Sequence, residues 1–456
     1  MKKNLLLLAF LPLLLTAQYS TDSAYIKQIS DEIMRNGKAY DLLRQLTKGI
    51  GGRLAGSSQY NKAVKWGEAS LKELGADKVF LQACMMPNWN RGGLDKASVV
   101  LIGGKKTARV LDVLALGNSE GTGGKPIVAA VLAVQNFAEL EAKKADVKGK
   151  IVYFNYKFNP TNINTGKSYG ESGQYRRTGA SRAAKYGAVG IIIRSLTEAT
   201  DNNPHTGSMA YNDSFPKIPA LAVGGDDADY LWELSKKNSF TASISSNGFF
   251  STDVEGHSVI AELTGTEFPN EYITVGGHLD SWDVNEGAHD DGAGIVQTIE
   301  VMRALKALGY RPKRTLRFVL FANEENGLRG ANKYAEEAQK NKEKHLFALE
   351  SDAGGFTPRG FGITASVDQL GKIQSWLPLL KPYGTDNINA GGGGADIGPL
   401  NRIFGTVLAG LMPDGQRYFD LHHARSDVFE NVNKRELLLG AVNMAALIYL
   451  VDKHGL

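Results

Sequence analysis

The sequence predicts an α/β fold built on a mostly parallel, doubly wound sheet that is flanked by helices and interrupted by a β-rich insert. Two observations predict this fold class. From residue 257 onward, strand-like apolar runs alternate with helical runs, which is the pattern of repeated βαβ units. Between residues 126 and 255 the apolar runs are shorter and are separated by Gly, Asn and Asp clusters, as in a compact β-rich unit.

Length and composition are those of an ordinary globular protein. The chain has 456 residues, enough for two or three domains, of which 43% are hydrophobic and 22% are charged. The net charge is only +4, without the basic stripe that nucleic-acid binding requires. The single cysteine, Cys84, excludes an intramolecular disulfide and a cysteine-based metal site. A metal site in this chain must therefore use His, Asp and Glu.

The amino terminus has the features of a secretory signal peptide over residues 1–18. Lys2 and Lys3 precede an almost unbroken apolar run from Leu5 to Leu15. This run is shorter than the roughly 18 residues of a membrane span, and no later stretch of the sequence reaches that length. We therefore expect a secreted or periplasmic protein without a stable membrane span, and a membrane-anchored amino terminus is the alternative.

The remaining elements follow in chain order. Within residues 24–81 a helical pattern continues as far as Gly75, and a strand follows it at Lys78–Leu81. After the insert, we expect strands at 259–263, 272–276, 315–322 and 345–349, and helices at 293–308 and 328–338. Residues 19–125 and 256–456 are accordingly predicted to form one discontinuous domain around the insert at 126–255.

Several common catalytic motifs do not occur in the sequence. It has no H-E-x-x-H and no G-x-G-x-x-G after a strand, which argues against helix-borne zinc proteases and dinucleotide enzymes. Gly51–Gly56 has the glycine spacing of a phosphate loop. However, Ser57 and Ser58 stand where that loop requires Lys followed by Ser or Thr.

Histidine and carboxylate side chains follow the predicted strands instead. His278, Glu324, Glu325 and Asp352 each come after a strand, and Asp290 comes after a short loop. The carboxyl ends of neighbouring strands converge in one crevice in this fold class, so these groups are expected to meet. Carboxylates gathered in this way repel one another unless a multivalent cation is present. Mixed His and carboxylate ligands suit zinc, and cobalt or manganese could replace it.

These motifs resemble the co-catalytic two-zinc exopeptidases, a family that includes bacterial leucyl aminopeptidases and glutamate carboxypeptidases. The motifs that carry the resemblance are Gly276–Ser281, Asp290–Gly292, Asn323–Gly327, Glu350–Asp352, and His423 with Asp427 four residues later. The resemblance implies the zinc exopeptidase fold for residues 19–125 and 256–456. Residues 126–255 resemble the protease-associated domain that is often inserted into this fold.

The resemblance implies two zinc ions per chain and five ligands. His278 and Asp352 would hold one ion, Glu325 and His423 would hold the other, and Asp290 would bridge the two. In similar enzymes the peptide bond after the bridging aspartate is cis. We therefore expect a cis bond between Asp290 and Asp291.

The resemblance also implies roles for residues that do not bind metal. Glu324 would be the general base, and Asp280 would accept a hydrogen bond from the imidazole of His278. His422 would donate a hydrogen bond to the tetrahedral oxyanion, with a purely structural role as the alternative. Arg176 and Arg177 are interpreted as solvated charges, with contact to a substrate carboxylate as the alternative.

The implied activity is hydrolysis of dipeptides or short peptides by a secreted zinc metallo-exopeptidase. An aminopeptidase that acts on longer peptides with a free amino terminus is the nearest alternative. A metal-free receptor or binding module is an alternative of a different class, and a one-zinc enzyme that cyclises amino-terminal glutamine is a third. No nucleic-acid partner is expected, and the oligomeric state, monomer or homodimer, stays open.

Overall fold

The fold was determined as a computed structural model that describes residues 7–101, 107–237 and 239–456. Residues 1–6 of the predicted signal peptide lie outside the described residues. For its residues 7–18 only the backbone is described, as the beginning of the first helix.

The helices of the described residues are α1 (Leu7–Asn36), α2 (Ala39–Gly49), α3 (Ser58–Glu73), α4 (Phe137–Ala142), α5 (Thr165–Ala184), α6 (Gly225–Lys237), α7 (Ala293–Ala307), α8 (Arg329–Lys340), α9 (Val367–Ser375), α10 (Leu377–Leu380), α11 (Gly398–Phe404), α12 (Tyr418–Leu421) and α13 (Lys434–His454).

The strands are β1 (Lys78–Asn90), β2 (Lys96–Leu101), β3 (Thr107–Leu111), β4 (Val113–Ala115), β5 (Ile127–Val134), β6 (Ile151–Phe154), β7 (Gly190–Arg194), β8 (Ala220–Val223), β9 (Phe240–Ser245), β10 (Phe249–Leu263), β11 (Phe268–His278), β12 (Arg314–Phe321), β13 (Lys344–Glu350), β14 (Pro358–Thr364), β15 (Asn387–Ala390) and β16 (Val407–Pro413).

The first sheet carries the candidate site. Its strand order is β1-β10-β12-β11-β13-β16-β14-β15, and the four strands β12, β11, β13 and β16 at its centre are mutually parallel. The central strands are buried on both faces, as their continuous apolar runs predict. The expected α/β class is confirmed, but the sheet is mixed, because β10 pairs antiparallel with both β1 and β12, and β14 with β16.

Helices cover both faces of this sheet. The core on one face is built around α7 and α13, which pack together and against α1 and α2. Side-chain capping begins α13, because Asn433 accepts hydrogen bonds from the backbone N–H groups of Arg435 and Glu436. Among the described helices, α13 alone is long and apolar enough to cross a membrane, and 83% of its apolar window is buried inside the protein.

The second sheet has the strand order β3-β2-β9-β5-β6-β7-β8-β4 and therefore spans residues 96–245. Helices α5 and α6 pack on its opposite faces. The boundary expected at residue 126 falls inside this sheet, because β2 and β3 pair with each other and with β9, and β4 pairs with β8. Strands β2, β3 and β4, which precede residue 126, therefore belong to the same sheet as the strands that follow it.

The chain leaves the first sheet for the second and returns from it at one place. Strand β1 ends at Asn90, and β10 begins at Phe249, its direct partner across the antiparallel pair. Residues 91–248 therefore leave the first sheet and return to it at neighbouring positions. Arg91 strengthens the junction, because its Nε and Nη2 atoms donate to the two carboxylate oxygens of Asp283 at 2.7 and 2.8 Å.

Candidate metal centre

Three side chains that could ligate a metal meet at the carboxyl ends of β11 and β13. The Nε2 atom of His278 lies 3.3 Å from Asp290 Oδ1 and 3.5 Å from Asp352 Oδ1. His278 ends β11, and Asp352 lies two residues beyond β13, the parallel neighbour of β11. Strand order therefore brings together residues that are far apart in the sequence, as expected for this edge of a parallel sheet.

A second cluster lies on the other side of Asp290. The Nε2 atom of His423 is 3.2 Å from Asp290 Oδ2 and 3.2 Å from Glu325 Oε2. The Nε2 atom of His422 is 3.5 Å from the same Asp290 oxygen, and the two imidazoles stack with their centroids 3.5 Å apart. The two oxygens of one carboxylate thus face two separate groups of ligand-type atoms.

The donor set fits zinc. Ligand atoms about 2.0–2.1 Å from a tetrahedral zinc ion lie about 3.3 Å from each other, which is the spacing seen in both clusters. Two buried oxygens, Asp290 Oδ2 and Glu325 Oε1, have no hydrogen-bond partner within the described residues. Such atoms are costly unless a cation compensates them.

The electrostatics of the clusters are those of an acidic site. Burial and the nearby Asp290 carboxylate together raise the pKa of Glu325 to about 7. Burial also raises the pKa of Asp352. Burial lowers the pKa of His423, but the carboxylates of Glu325 and Asp290 outweigh that effect and bring it to about 10. The carboxylates of the two clusters therefore outnumber the positive charges that could neutralise them.

The backbone around Asp290 is held by a buried carboxylate. The two oxygens of Asp427 accept hydrogen bonds from the N–H groups of His289 and Asp290, at 2.7 and 3.1 Å. The Asp290–Asp291 peptide bond is cis, so that prediction is confirmed. Sequence reasoning did not assign a role to Asp427, although its four-residue spacing from His423 was the available signal.

Asp280 accepts the predicted hydrogen bond from His278, but through its backbone. The Nδ1 atom of His278 lies 3.0 Å from the backbone carbonyl oxygen of Asp280 and 3.9 Å from its carboxylate, so the carbonyl is the acceptor. The carboxylate instead accepts hydrogen bonds from the N–H groups of Glu324 and Glu325, at 3.0 and 3.3 Å. The side chain of Asp280 thus turns toward the end of β12 and takes no part in the hydrogen bond to His278.

Sequence reasoning missed Arg53, which is fully buried beside the site. Its guanidinium donates to the carbonyl oxygens of Leu279, Glu286 and Gly287 at 2.6, 2.8 and 3.1 Å. These residues belong to the loop that joins His278 to Asp290. One side chain thus fixes both ends of the connection between two candidate ligands.

A cavity of about 760 Å³ opens onto both clusters. Glu324, Asp352 and His422 line its floor, and residues of the second sheet region line the opposite wall, among them Asn118, Tyr169, Arg176, Arg177 and Met209. The backbone of Asn323–Glu325 follows β12, and Glu324 lies at the cavity without a place in either cluster.

Arg176 is not the solvated charge that the sequence suggests. Only 6% of the residue is exposed, whereas Arg177 is exposed. Its Nη2 donates to the hydroxyl of Tyr169 at 2.6 Å, and its Nη1 lies 3.3 Å from His423 Nδ1. Its Nε has no partner, and it forms no ion pair with a carboxylate of the described residues. A buried guanidinium without a counter-charge therefore faces the cavity.

The chain is similar to known peptidases. Residues 258–448 match Peptidase family M28. The chain is 34% identical to human carboxypeptidase Q over 415 residues, which cover 91% of this chain and 85% of that relative. The chain belongs to peptidase family M28. The expectation that it is a zinc metallopeptidase is thereby confirmed.

Solved structures support the same assignment for the M28 protein. A peptidase M28 precursor from Shewanella amazonensis SB2B is 32% identical, superposes with a TM-score of 0.88 and is covered over 97% of its chain and 95% of this one. A zinc aminopeptidase from Bacillus subtilis, BSAP, superposes with a TM-score of 0.65 at 21% identity over 90% of this chain and 94% of its own. The latter similarity concerns the fold.

Proposed function

We propose that this M28 protein is a secreted di-zinc exopeptidase that hydrolyses free dipeptides or short peptides. The observation that carries the proposal is the position of Asp290, whose Oδ1 faces His278 and whose Oδ2 faces His423. A carboxylate shared between two clusters suits a pair of ions rather than one. Similarity to carboxypeptidase Q, which Gly277–Gly292 and the paired histidines also indicate, supports the exopeptidase class.

Five residues would hold the metal. His278 and Asp352 would bind one zinc ion, Glu325 and His423 the second, and Asp290 both. Zinc would supply a water of lowered pKa and a polarising charge on the scissile carbonyl. His422 also lies within reach of Asp290 Oδ2. We assign the ligand role to His423 because it contacts Glu325 as well as Asp290.

The proton transfers fall to Glu324. Its side chain lies at the cavity, its backbone N–H is held by Asp280, and neither cluster uses its carboxylate. It would accept a proton from the attacking water at a carboxylate oxygen and donate it to the leaving amine. His422 lies at the same cavity, and we propose that its imidazole donates to the tetrahedral oxyanion.

Arg176 supports a substrate with a free carboxylate close to the scissile bond. In a dipeptide that carboxylate follows the scissile carbonyl by a single residue, a step of about 3.8 Å between Cα atoms. Arg176 lies beside His423, on the cavity wall that faces the carboxylates. A zwitterionic dipeptide would complement this distribution of charge, whereas a long peptide would leave the guanidinium without an anion.

Two further assignments belong to the proposal. We assign the unit built on the second sheet, to which most of residues 126–255 belong, to a protease-associated domain that is inserted into the zinc peptidase domain. Export is supported by the charged and apolar sequence of residues 1–18.

Metal analysis combined with a substrate panel tests the function. Purified protein should contain two zinc ions per chain, and a chelator should abolish cleavage of free dipeptides. Amino-blocked and carboxyl-blocked analogues should be cleaved much more slowly. Efficient cleavage of carboxyl-blocked substrates would indicate an aminopeptidase instead. A metal-free, inactive protein would indicate a binding module, and one zinc ion with glutamine cyclisation would indicate the third class.

A further inference from the structure

Hydrogen bonds join the insert at residues 126–255 to the segment that contains His422 and His423. The N–H of Thr206 donates to the carbonyl oxygen of His423 at 3.0 Å. The Nδ1 of His205 lies 2.8 Å from the carbonyl oxygen of His422 and donates to it, since a carbonyl can only accept. His205 and Thr206 are buried, so both hydrogen bonds are shielded from water.

The same turn also faces the imidazole of His423. Its Nδ1 lies 3.3 Å from the carbonyl oxygen of Thr206, and its Nε2 faces Asp290 and Glu325. A histidine that offers the lone pair of Nε2 to a metal carries its proton on Nδ1. The Thr206 carbonyl is the acceptor for that proton and sets both the tautomer and the direction of the ring. In this tautomer Nδ1 cannot accept from Arg176 Nη1, which also lies 3.3 Å away and can only donate.

Gly207 packs so closely against the side chains of His423 and Arg176 that no side chain fits at this position. Its φ of +128° is a conformation that favours glycine, and a Cβ at this position would lie 2.5 Å from His423 Nδ1. The same Cβ would lie 2.5 Å from the Nη1 of Arg176. The backbone of the insert therefore approaches the imidazole as closely as it can.

We propose that His205–Gly207, here called the positioning turn, orients His423 for metal binding, so that the insert completes the second metal site. This inference rests on the proposed role of His423 as a ligand. The positioning turn touches no substrate and acts only through His422 and His423. The insert thereby raises the affinity of the second metal site, in addition to forming part of the wall of the cavity.

Gly207→Ala tests the proposal, with Gly149→Ala as the matched control. Gly149 also lies in the insert with a positive φ, +75°, but a Cβ there would meet nothing within 4 Å. Zinc is titrated into metal-free full-length protein against a chelator, and the thermal unfolding of the metal-free proteins is compared. We expect Gly207→Ala to weaken the second ion by about 10- to 100-fold and to leave the first unchanged. If Gly207→Ala binds each ion as tightly as Gly149→Ala does, the proposal is overturned.

His205 provides a second test that does not depend on backbone strain. In His205→Asn the side-chain amide can still donate to the carbonyl of His422, whereas in His205→Leu it cannot. We expect His205→Leu to lower the affinity for the second ion and His205→Asn to restore most of it. If His205→Leu binds both ions as the wild type does, the positioning role is refuted.

His423→Ala separates a failure of this inference from a failure of the proposed function. A loss of exactly one ion supports the ligand assignment, and the positioning turn is then judged by the Gly207 and His205 variants alone. If His423→Ala retains both ions, the ligand assignment is wrong and the inference is overturned with it.

Discussion

At the scale of single residues, Asp290 determines whether the site can hold two ions. It contacts His278 with one oxygen and His423 with the other, and it is buried between them. In Asp290→Ala the remaining carboxylates face each other with weaker neutralisation. We expect zinc content to fall below two ions per chain. Asp368→Ala removes an exposed carboxylate and serves as the control; unchanged occupancy in the Asp290 variant would show that the bridge is misplaced.

Glu324 can be separated from the metal ligands by a substitution that keeps its size. Glu324→Gln removes the proton acceptor but leaves both clusters intact, so we expect zinc content to remain at the wild-type value. The kcat on a free dipeptide should fall by about 10²- to 10⁴-fold. Glu336→Gln on α8 is the exposed control. A kcat close to that of the wild type would remove Glu324 from the mechanism.

The sequence could predict the ligand-type residues but not the residues that hold them. His278, Glu325 and Asp352 lie at or just beyond strand ends, which can be read from apolar runs, and Asp290 follows a short loop. Arg53 could not be placed in the same way, because its partners are backbone carbonyls that lie more than two hundred positions away in the sequence. Hydrogen bonds to the backbone leave no pattern of residue types. The acceptor role of the Asp280 carbonyl escaped for the same reason.

At the scale of elements, the loop between β11 and α7 depends on Arg53. Three of its guanidinium N–H groups donate to carbonyls at both ends of the loop, and Lys cannot reproduce this geometry. Arg53→Met leaves three buried carbonyls without their donor. We expect it to destabilise the protein by at least about 3 kcal/mol.

Urea unfolding of the metal-free protein measures this loss directly. Arg44→Met, an exposed position on α2, should change the free energy of unfolding by less than about 0.5 kcal/mol. An Arg53 variant as stable as the Arg44 variant would show that the loop is held by other contacts.

The strands and helices of the central sheet follow closely from the sequence, whereas its flanks do not. Helix α7 was expected at 293–308 and forms at Ala293–Ala307, and β12 was expected at 315–322 and forms at Arg314–Phe321. The β1–β10 pair was harder to predict. Its outer part is exposed and lacks a continuous apolar run, and its register depends on pairing between distant segments.

At the scale of the whole molecule, the cavity is built by both sheets, and Arg176 is the contribution that bears on specificity. Arg176→Gln removes the positive charge that we expect to hold the substrate carboxylate. The KM for free dipeptides should rise by about 10- to 100-fold, because a hydrogen bond to a charged group contributes about 1.5–3 kcal/mol. Activity on carboxyl-amidated dipeptides should be unaffected.

Arg182→Gln is the matched control, since it makes the same change of charge at an exposed position of α5 that does not line the cavity. Zinc content is measured in both variants, because Arg176 also lies beside His423. Equal effects of the Arg176 substitution on free and amidated substrates would exclude a carboxylate-binding role.

The pairing of Asn90 with Phe249 makes residues 91–248, in topological terms, the turn of a single β-hairpin. Lengthening or shortening the turn of a hairpin changes neither the order nor the direction of the strands beside it. A peptidase of this architecture could therefore gain or lose the whole second sheet through one event of genetic insertion or deletion. Its central sheet would survive such an event, but the wall of its cavity would be replaced, which offers evolution a direct route from one range of substrates to another.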